Sequence, residues 1–223
     1  MKKVILSAFL AVSIFCVHAQ QSTWDSTYRP ATYGQRLALF KSYPNSSKDV
    51  IFLGNSITAG TDWNELLQLP EARNRGISGD ITFGVLERLD EVIEGHPAKV
   101  FILIGINDVA RNIPDSVITR NHETMIRRIQ AGSPKTKIFF QTLMPTNNTF
   151  TQHKDHYNKD GHIQAVNEGL KKLAEKYPIT LIDLHPHFMD VQGRLDARYT
   201  MDGLHLNDKG YAVWKEVLQP YIR

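Results

Sequence analysis

Cysteine is almost absent from this chain. The 223 residues contain one cysteine, Cys16, and it lies in an N-terminal segment that has the features of a secretory signal peptide. That segment has a basic start at residues 2–3, an apolar stretch from Val4 to Val17 and the small residue Ala19 at its end. Cleavage after Ala19 would leave a mature chain without a thiol. Such a chain forms no disulfide, uses no cysteine nucleophile and binds no zinc through cysteine.

The excess of positive over negative charge is also small. The formal net charge of the whole chain is +3, and removal of Lys2 and Lys3 with the signal peptide lowers it to +1. A nearly neutral chain lacks the basic surface through which proteins bind nucleic acid or an anionic membrane. We therefore expect no nucleic-acid partner and a small-molecule or glycan substrate. The sequence carries no signal for an oligomeric state.

Long apolar runs are missing as well. The stretch from Val4 to Val17 is too short for an ordinary membrane span, and no later stretch approaches the roughly 20 apolar residues that a span needs. We therefore expect no stable membrane span. Lipid attachment at Cys16 is an alternative, but the bulky Phe15 directly before it is a poor fit to such a site. We expect an exported protein that is periplasmic or extracellular.

Short apolar runs alternate with amphipathic segments along the rest of the chain. The runs predict five strands, which begin at Val50 and Arg73 and cover 100–106, 138–143 and 179–184. Apolar residues recur at helical spacing between them, for example at Val85, Leu89 and Val92. Such alternation forms βαβ units, which predicts an α/β fold with a parallel sheet and helices on both faces. The length and the 42% hydrophobic content suit a single domain, residues 20–223.

The first predicted strand ends in the small polar sequence Gly54-Asn55-Ser56. A buried strand followed by a tight turn would hold the Ser56 hydroxyl at the carboxyl edge of the sheet, where open α/β sheets bind their ligands. Ser56 could instead only cap the helix that follows, which is a common role of serine. This stretch alone does not decide between a nucleophile and a helix cap.

Residues suited to acyl transfer occur at the other strand ends and before the last helix. A short turn from Asp202 to His205 could bring the carboxylate to one ring nitrogen and leave the other nitrogen for Ser56. A serine hydroxyl becomes a good nucleophile when an imidazole, held in the right tautomer by an acceptor, takes its proton. The backbone amides of Ser56 and Gly79 and the side-chain amide of Asn107 could donate to the developing oxyanion. We therefore predict Ser56, His205 and Asp202 as catalytic residues.

Four sequence blocks together resemble the SGNH subgroup of the GDSL hydrolases. They are Gly54-Asn55-Ser56-Ile57 for the nucleophile, Ser78-Gly79-Asp80 for the glycine, Gly105-Ile106-Asn107-Asp108 for the asparagine, and Asp202-Gly203-Leu204-His205 for the acid and base. All four follow the family order. Asn55 departs from the name-giving motif, which has aspartate there, and the chain is similar to the platelet-activating-factor acetylhydrolase branch. The resemblance implies a flavodoxin-like three-layer α/β/α fold, no cofactor, and ester hydrolysis through an acyl-serine.

The other histidines raise the question of a metal site. The pairs His153/His156 and His185/His187 could be drawn as ligands, but neither pair lies in a recognised metal motif. We therefore expect no metal site.

The stretch 146–160 could instead line one wall of the cleft, through residues such as Asn147, Asn148 and Tyr157. Arg111 follows Asn107 closely and could either contact the substrate or be solvated. The sequence leaves both possibilities open.

A flavodoxin-like electron carrier is a rival function on the same fold. The hydroxyl-rich sequence from Ser56 to Thr61 follows the first strand and could bind a phosphate. That interpretation leaves Asn107 and the Asp202/His205 pair without a role. No Walker loop and no Gly-x-Gly-x-x-Gly fingerprint occurs, which argues against nucleotide enzymes.

We expect an exported serine esterase. The resemblance and the export signal together imply removal of short acyl groups, mainly acetyl, from a carbohydrate such as O-acetylated sialic acid or a plant or cell-wall glycan. Lysophospholipid or thioester hydrolysis is the alternative activity on the same fold.

Overall fold

The computed structural model describes residues 24–222, and a parallel β-sheet lies at its centre. Its strands are β1 (Val50–Gly54), β2 (Ala72–Gly76), β3 (Lys99–Leu103), β4 (Lys137–Gln141) and β5 (Thr180–Ile182). They lie in the order β2-β1-β3-β4-β5, and each neighbouring pair is parallel. The predicted α/β fold with a five-stranded parallel sheet is therefore confirmed. The predicted signal peptide, with Cys16, lies outside the described residues.

Helices connect the strands and cover the sheet. They are α1 (Tyr33–Ser42), α2 (Ser56–Ala59), α3 (Trp63–Leu67), α4 (Thr82–Glu87), α5 (Leu89–Glu94), α6 (Ile106–Ala110), α7 (Asp115–Gly132), α8 (Asp160–Lys176) and α9 (Asp208–Ile222). Short 3-10 turns lie at Lys154–His156 and His185–Phe188. Across residues 24–222, no helix combines the length and the hydropathy that crossing a membrane requires.

Alternate strand residues enter two apolar cores, one on each face of the sheet. On one face, the rings of Phe52, Phe101 and Phe139 stack across neighbouring strands, and Trp63 of α3 and Trp214 of α9 belong to the same core. The core on the opposite face includes Leu53, Ile102, Phe140, Leu89, Ile126 and Leu170. Because both faces are buried under helices, the fold has the three layers α/β/α.

The third strand is shorter than its apolar sequence predicts. The apolar run ends at Ile106, but β3 ends at Leu103, and Ile106 already begins α6. Gly105 lies between them at φ +132°, a backbone conformation that favours glycine, and there the chain leaves the sheet. Ile104 and Ile106 stay buried outside the strand. Apolar character alone therefore placed the strand end too late.

A buried arginine connects the ends of the first two strands. Arg88 lies between α4 and α5 and divides the single helix predicted there. Its Nε donates to Asp80 Oδ2 at 2.9 Å, and its Nη2 donates to the Gly54 carbonyl oxygen at 3.1 Å. Burial raises the pKa of the Asp80 carboxyl, and the Arg88 guanidinium opposes that rise. The pair holds the loop after β2 against the end of β1.

A buried histidine holds the chain just beyond β3. His122 of α7 is fully buried, and its Nε2 donates to the Ile104 carbonyl oxygen at 3.0 Å. Burial lowers the pKa of His122 from 6.5 to about 4, so the ring is neutral at pH 7. This hydrogen bond supports the backbone that leads through Gly105 into α6.

Replacement of Arg88 by methionine is expected to destabilise the fold strongly. The Asp80 carboxyl would stay buried without its partner, and breaking a buried ion pair in this way costs about 3–5 kcal/mol. Urea denaturation followed by circular dichroism measures the free energy of unfolding. Arg120→Met, at an exposed position of α7, is the matched control and should change this free energy by less than about 0.5 kcal/mol. A loss in R88M as small as that of the control would contradict the role of the pair.

His122 is expected to make the fold less stable in mild acid. Its folded pKa lies below its ordinary value of 6.5, so its contribution to stability is present above pH 6.5 and is lost as the pH falls towards 4. The difference corresponds to roughly 3 kcal/mol. Urea midpoints measured from pH 8 to pH 4 should fall less steeply in His122→Gln than in the wild type. His187→Gln, at an exposed position, should leave the slope unchanged, and an equal slope in both variants would refute the assignment.

Candidate active site

The turn after β1 presents Ser56 at the carboxyl edge of the sheet. Asn55 is the N-cap of α2, because its Oδ1 accepts a hydrogen bond from the Ile57 amide at 3.0 Å. Its carbonyl oxygen accepts a second one from the Ala59 amide at 2.9 Å. Ser56 is the first residue of α2 and is half-buried. The residue that caps the helix is therefore Asn55 and not Ser56, which leaves the Ser56 hydroxyl available for chemistry.

Three side chains that are distant in the sequence form one hydrogen-bonded chain. His205 Nε2 lies 2.9 Å from Ser56 Oγ, and His205 Nδ1 lies 2.7 Å from Asp202 Oδ2. Partial burial acts to raise the pKa of Asp202, but hydrogen bonds from the His205 ring and from the amides of His205 and Leu204 lower it to about 2. The ionised carboxylate accepts the Nδ1 proton, so the lone pair of Nε2 faces the Ser56 hydroxyl.

The residues predicted to donate to an oxyanion lie beside Ser56. Gly79 adopts φ +79°, a left-handed conformation that favours glycine. Asn107 of α6 donates from Nδ2 to the Asp80 carbonyl oxygen at 2.8 Å, which leaves one of its two amide protons available. Within residues 24–222, the backbone amides of Ser56 and Gly79 have no hydrogen-bond acceptor. Ser56, Gly79, Asn107 and His205 line one open cleft of about 380 Å³, and Asp202 joins it through His205.

Two histidines that sequence reasoning did not place in the site also line this cleft. His153 Nε2 lies 3.0 Å from Asp202 Oδ2, the oxygen that His205 also contacts. His156 Nε2 lies 3.0 Å from Asn107 Oδ1. Each of the two rings therefore lines the cleft and contacts one predicted site residue.

The stretch 146–160 contributes to the cleft wall through these histidines. The other residues considered there have different positions: Asn147 and Tyr157 are buried and donate hydrogen bonds to backbone carbonyl oxygens, whereas Asn148 is exposed. The His-x-x-His spacing of His153 and His156 is the sequence signal for these residues, and by itself it suggests a metal motif rather than a cleft wall.

One group of side chains in the described chain could hold a metal ion. Ligand atoms of His153, Asp202 and His205 lie within 4.8 Å of one another. Both imidazoles already hydrogen-bond to the Asp202 carboxylate, so an ion would have to displace these bonds. Neither histidine pair considered from the sequence forms such a group. His156 contacts Asn107, and the His185 ring contacts the backbone of the loop after β4.

The segment before α1 forms another wall of the site. A Cβ atom at Gly79 would lie 3.5 Å from the Tyr28 hydroxyl oxygen. The Arg111 guanidinium lies 3.1 Å from the centroid of the Tyr28 ring, so this arginine stacks on an aromatic face although it is exposed. Arg29 fixes the same segment because its Nε donates to the Glu87 carboxylate at 2.8 Å.

A second cavity, of about 530 Å³, opens beside the cleft. Gly79, Asn107 and His156 line both spaces. The remaining lining residues are Trp24, Asp25, Ala110, Arg111, Asn112 and Asp155. Trp24 and Asp25 were missed from the sequence because residues 20–30 have no periodicity, and only tertiary contacts fix their position.

The chain matches known proteins over most of its length. The model of the GDSL-like lipase/acylhydrolase family matches residues 52–213. Platelet-activating factor acetylhydrolase IB subunit alpha2 of Rattus norvegicus is 28% identical over 173 residues, which are 74% of this chain and 71% of that protein.

Solved structures are similar as well. A Streptococcus pneumonia protein designated a platelet activating factor has a TM-score of 0.79 and 28% identity, over 86% of this chain and 92% of that one. A GDSL-like lipase from Bacteroides thetaiotaomicron has a TM-score of 0.74 and 25% identity, over 85% and 96% of the two chains.

The family match includes every residue of the predicted site. The matched segment runs from β1 into α9 and contains the nucleophile turn, the Gly79 loop, Asn107 and the Asp202–His205 turn. The relatives are named as hydrolases, which argues against the electron-carrier interpretation. This chain is a hydrolase of the esterase type, and it belongs to the GDSL-like lipase/acylhydrolase family.

Proposed function

We propose that the chain is a serine esterase in which Ser56 is the nucleophile, His205 the general base and Asp202 the residue that orients His205. The hydrogen-bonded chain from Asp202 through His205 to Ser56 carries this proposal. An ionised Asp202 holds the imidazole in the tautomer that can accept the Ser56 proton.

The reaction has two steps that use the same proton carrier. Ser56 Oγ attacks the acyl carbonyl carbon while His205 Nε2 takes the hydroxyl proton, and His205 then gives this proton to the departing alcohol oxygen. The products are the free alcohol and an acyl-serine. In the second step His205 deprotonates a water molecule, which attacks the acyl carbon and releases the acid, and the proton returns to Ser56.

The negative charge that develops on the acyl oxygen needs donors at fixed positions. The amides of Ser56 and Gly79 and the second Nδ2 proton of Asn107 are the donors of this proposal. One such donor is typically worth about 100- to 1,000-fold in kcat.

Ser56→Ala is expected to lower kcat for p-nitrophenyl acetate by about 10⁴-fold or more, because the nucleophile is lost. A fluorophosphonate probe should label the wild type at Ser56 and should not label the variant. Ser116→Ala, at an exposed position of α7, is the matched control and should keep both properties. Equal activity and labelling in S56A and the wild type would reject the proposal.

We propose that the acyl group is short, mainly acetyl. The curated relative is named an acetylhydrolase. The enclosed apolar cavity that shares Leu204 with the cleft has a volume of only about 10 Å³. That volume is close to the minimum for one water molecule, so this cavity gives a long acyl chain no enclosed apolar channel beyond the cleft.

We propose that the alcohol part of the ester is a carbohydrate, such as O-acetylated sialic acid or a cell-wall glycan. The 530 Å³ cavity offers the half-buried Trp24 ring, the carboxylates of Asp25 and Asp155, and the Arg111 guanidinium. Hydrogen bonds from Thr27 lower the pKa of Asp25, so this carboxylate is ionised and can accept hydrogen bonds from sugar hydroxyls. An aromatic face combined with a few polar groups is a usual design of small-ligand sites.

Export through residues 1–19 is part of the same proposal, because it would bring the enzyme to such glycans. Lysophospholipid or thioester hydrolysis is the alternative. The apolar chain of a lysophospholipid is its acyl group, so the small apolar cavity beside Leu204 disfavours this alternative.

Trp24→Ala is expected to lower kcat/KM for acetylated sugars by about fivefold, because an aromatic contact of this kind is worth roughly 1 kcal/mol. Activity on p-nitrophenyl acetate, whose alcohol part is not a sugar, should stay within about twofold of the wild type. Tyr43→Ala, an aromatic residue that lines a different cavity, is the control. Equal losses on both substrates in W24A, or faster hydrolysis of decanoyl than of acetyl esters by the wild type, would contradict the substrate assignment.

A further inference from the structure

The two ends of the Asn107 carboxamide have different partners, and these partners decide its orientation. The Asp80 carbonyl oxygen can only accept a hydrogen bond, so the atom that faces it at 2.8 Å is Nδ2. The amide oxygen Oδ1 then faces His156 Nε2 at 3.0 Å. Because Oδ1 can only accept, His156 Nε2 carries the proton. The ring therefore donates one hydrogen bond to Asn107.

His156 is a neutral donor. Burial, together with the neighbouring rings of His153 and His205, lowers its pKa to about 4. With its single proton on Nε2, the ring contributes a directed hydrogen bond and no full charge beside the oxyanion position. A lysine at this place would add a full positive charge, and its attraction for the carboxamide oxygen would depend less on direction.

The backbone around His156 is held before any substrate binds. The 3-10 turn Lys154–His156 closes through a hydrogen bond from the His156 amide to the His153 carbonyl oxygen at 2.9 Å. Lys159 follows this turn and donates from Nζ to the Val109 carbonyl oxygen at the end of α6, at 3.0 Å. The turn is thus tied to the same helix that carries Asn107.

We propose that His156 is a positioning residue for the oxyanion donor: its hydrogen bond to Asn107 Oδ1 holds the carboxamide so that the free Nδ2 proton points into the cleft. The inference rests on the proposed esterase function. Two fixed contacts, to Asp80 on one side and to His156 on the other, leave the side chain a single orientation. Donation to Oδ1 also polarises the amide and strengthens its remaining N–H as a donor.

A double-mutant cycle on the mature protein tests this role. Asn107→Ala is expected to lower kcat for p-nitrophenyl acetate by about 100- to 1,000-fold. His156→Ala should lower kcat by about tenfold or more with KM within about twofold, because an interaction made in the transition state affects kcat. In the N107A background, His156→Ala should change kcat by less than about twofold, because its target is gone. His156→Gln, which keeps an N–H donor, should recover part of the loss.

The control separates positioning from a general effect on the loop. Lys154→Ala lies in the same 3-10 turn at an exposed position and should leave kcat and KM unchanged. If H156A lowers kcat by the same factor in the wild-type and N107A backgrounds, or if it changes only KM, His156 does not act through Asn107 and the inference is wrong. In that case the wild type remains active and the proposed function stands. A wild type that hydrolyses no acyl ester would overturn both.

Discussion

A buried ion pair joins three of the four chain segments on which the candidate active site is built. Arg88 binds the Gly54 carbonyl oxygen at the end of β1 and the Asp80 carboxylate directly after the Gly79 loop. The Asp80 carbonyl oxygen in turn accepts the Asn107 side-chain amide from the end of β3. The Ser56 turn, the glycine loop and the asparagine therefore depend on one buried cluster at the carboxyl edge of the sheet. Buried charges are retained only where partners compensate their lost hydration, and here the compensation also places the site.

Much of this arrangement could be predicted from the sequence, for a simple geometric reason. Apolar runs that end in small polar residues mark the ends of central strands, and in a parallel sheet all carboxyl ends lie on one edge. Residues as distant as Ser56 and Asn107 could therefore be assigned to one site without any contact information. The contact between Asp202 and His205 was predictable because the two residues are close in sequence, so a single local turn brings them together.

The parts that sequence reasoning missed lie in irregular segments. His156 and Trp24 follow no helical or strand period, and their positions depend on tertiary contacts such as Lys159 with α6 and Arg29 with Glu87. The β3 end was misplaced for a related reason, because Ile104 is buried outside the strand as completely as its neighbours are within it. Apolar residues indicate burial, and they indicate a strand only where the backbone stays regular.

The cavity proposed for the alcohol and the catalytic cleft have a common wall, formed by Gly79, Asn107 and His156. A group that binds in the cavity would therefore contact Gly79 and Asn107, two of the proposed oxyanion donors. Contacts of the alcohol with these donors would restrain them while the acyl carbonyl becomes tetrahedral. Part of the alcohol's binding energy would then stabilise the transition state. For such an enzyme, a change of the alcohol part should alter kcat as well as KM.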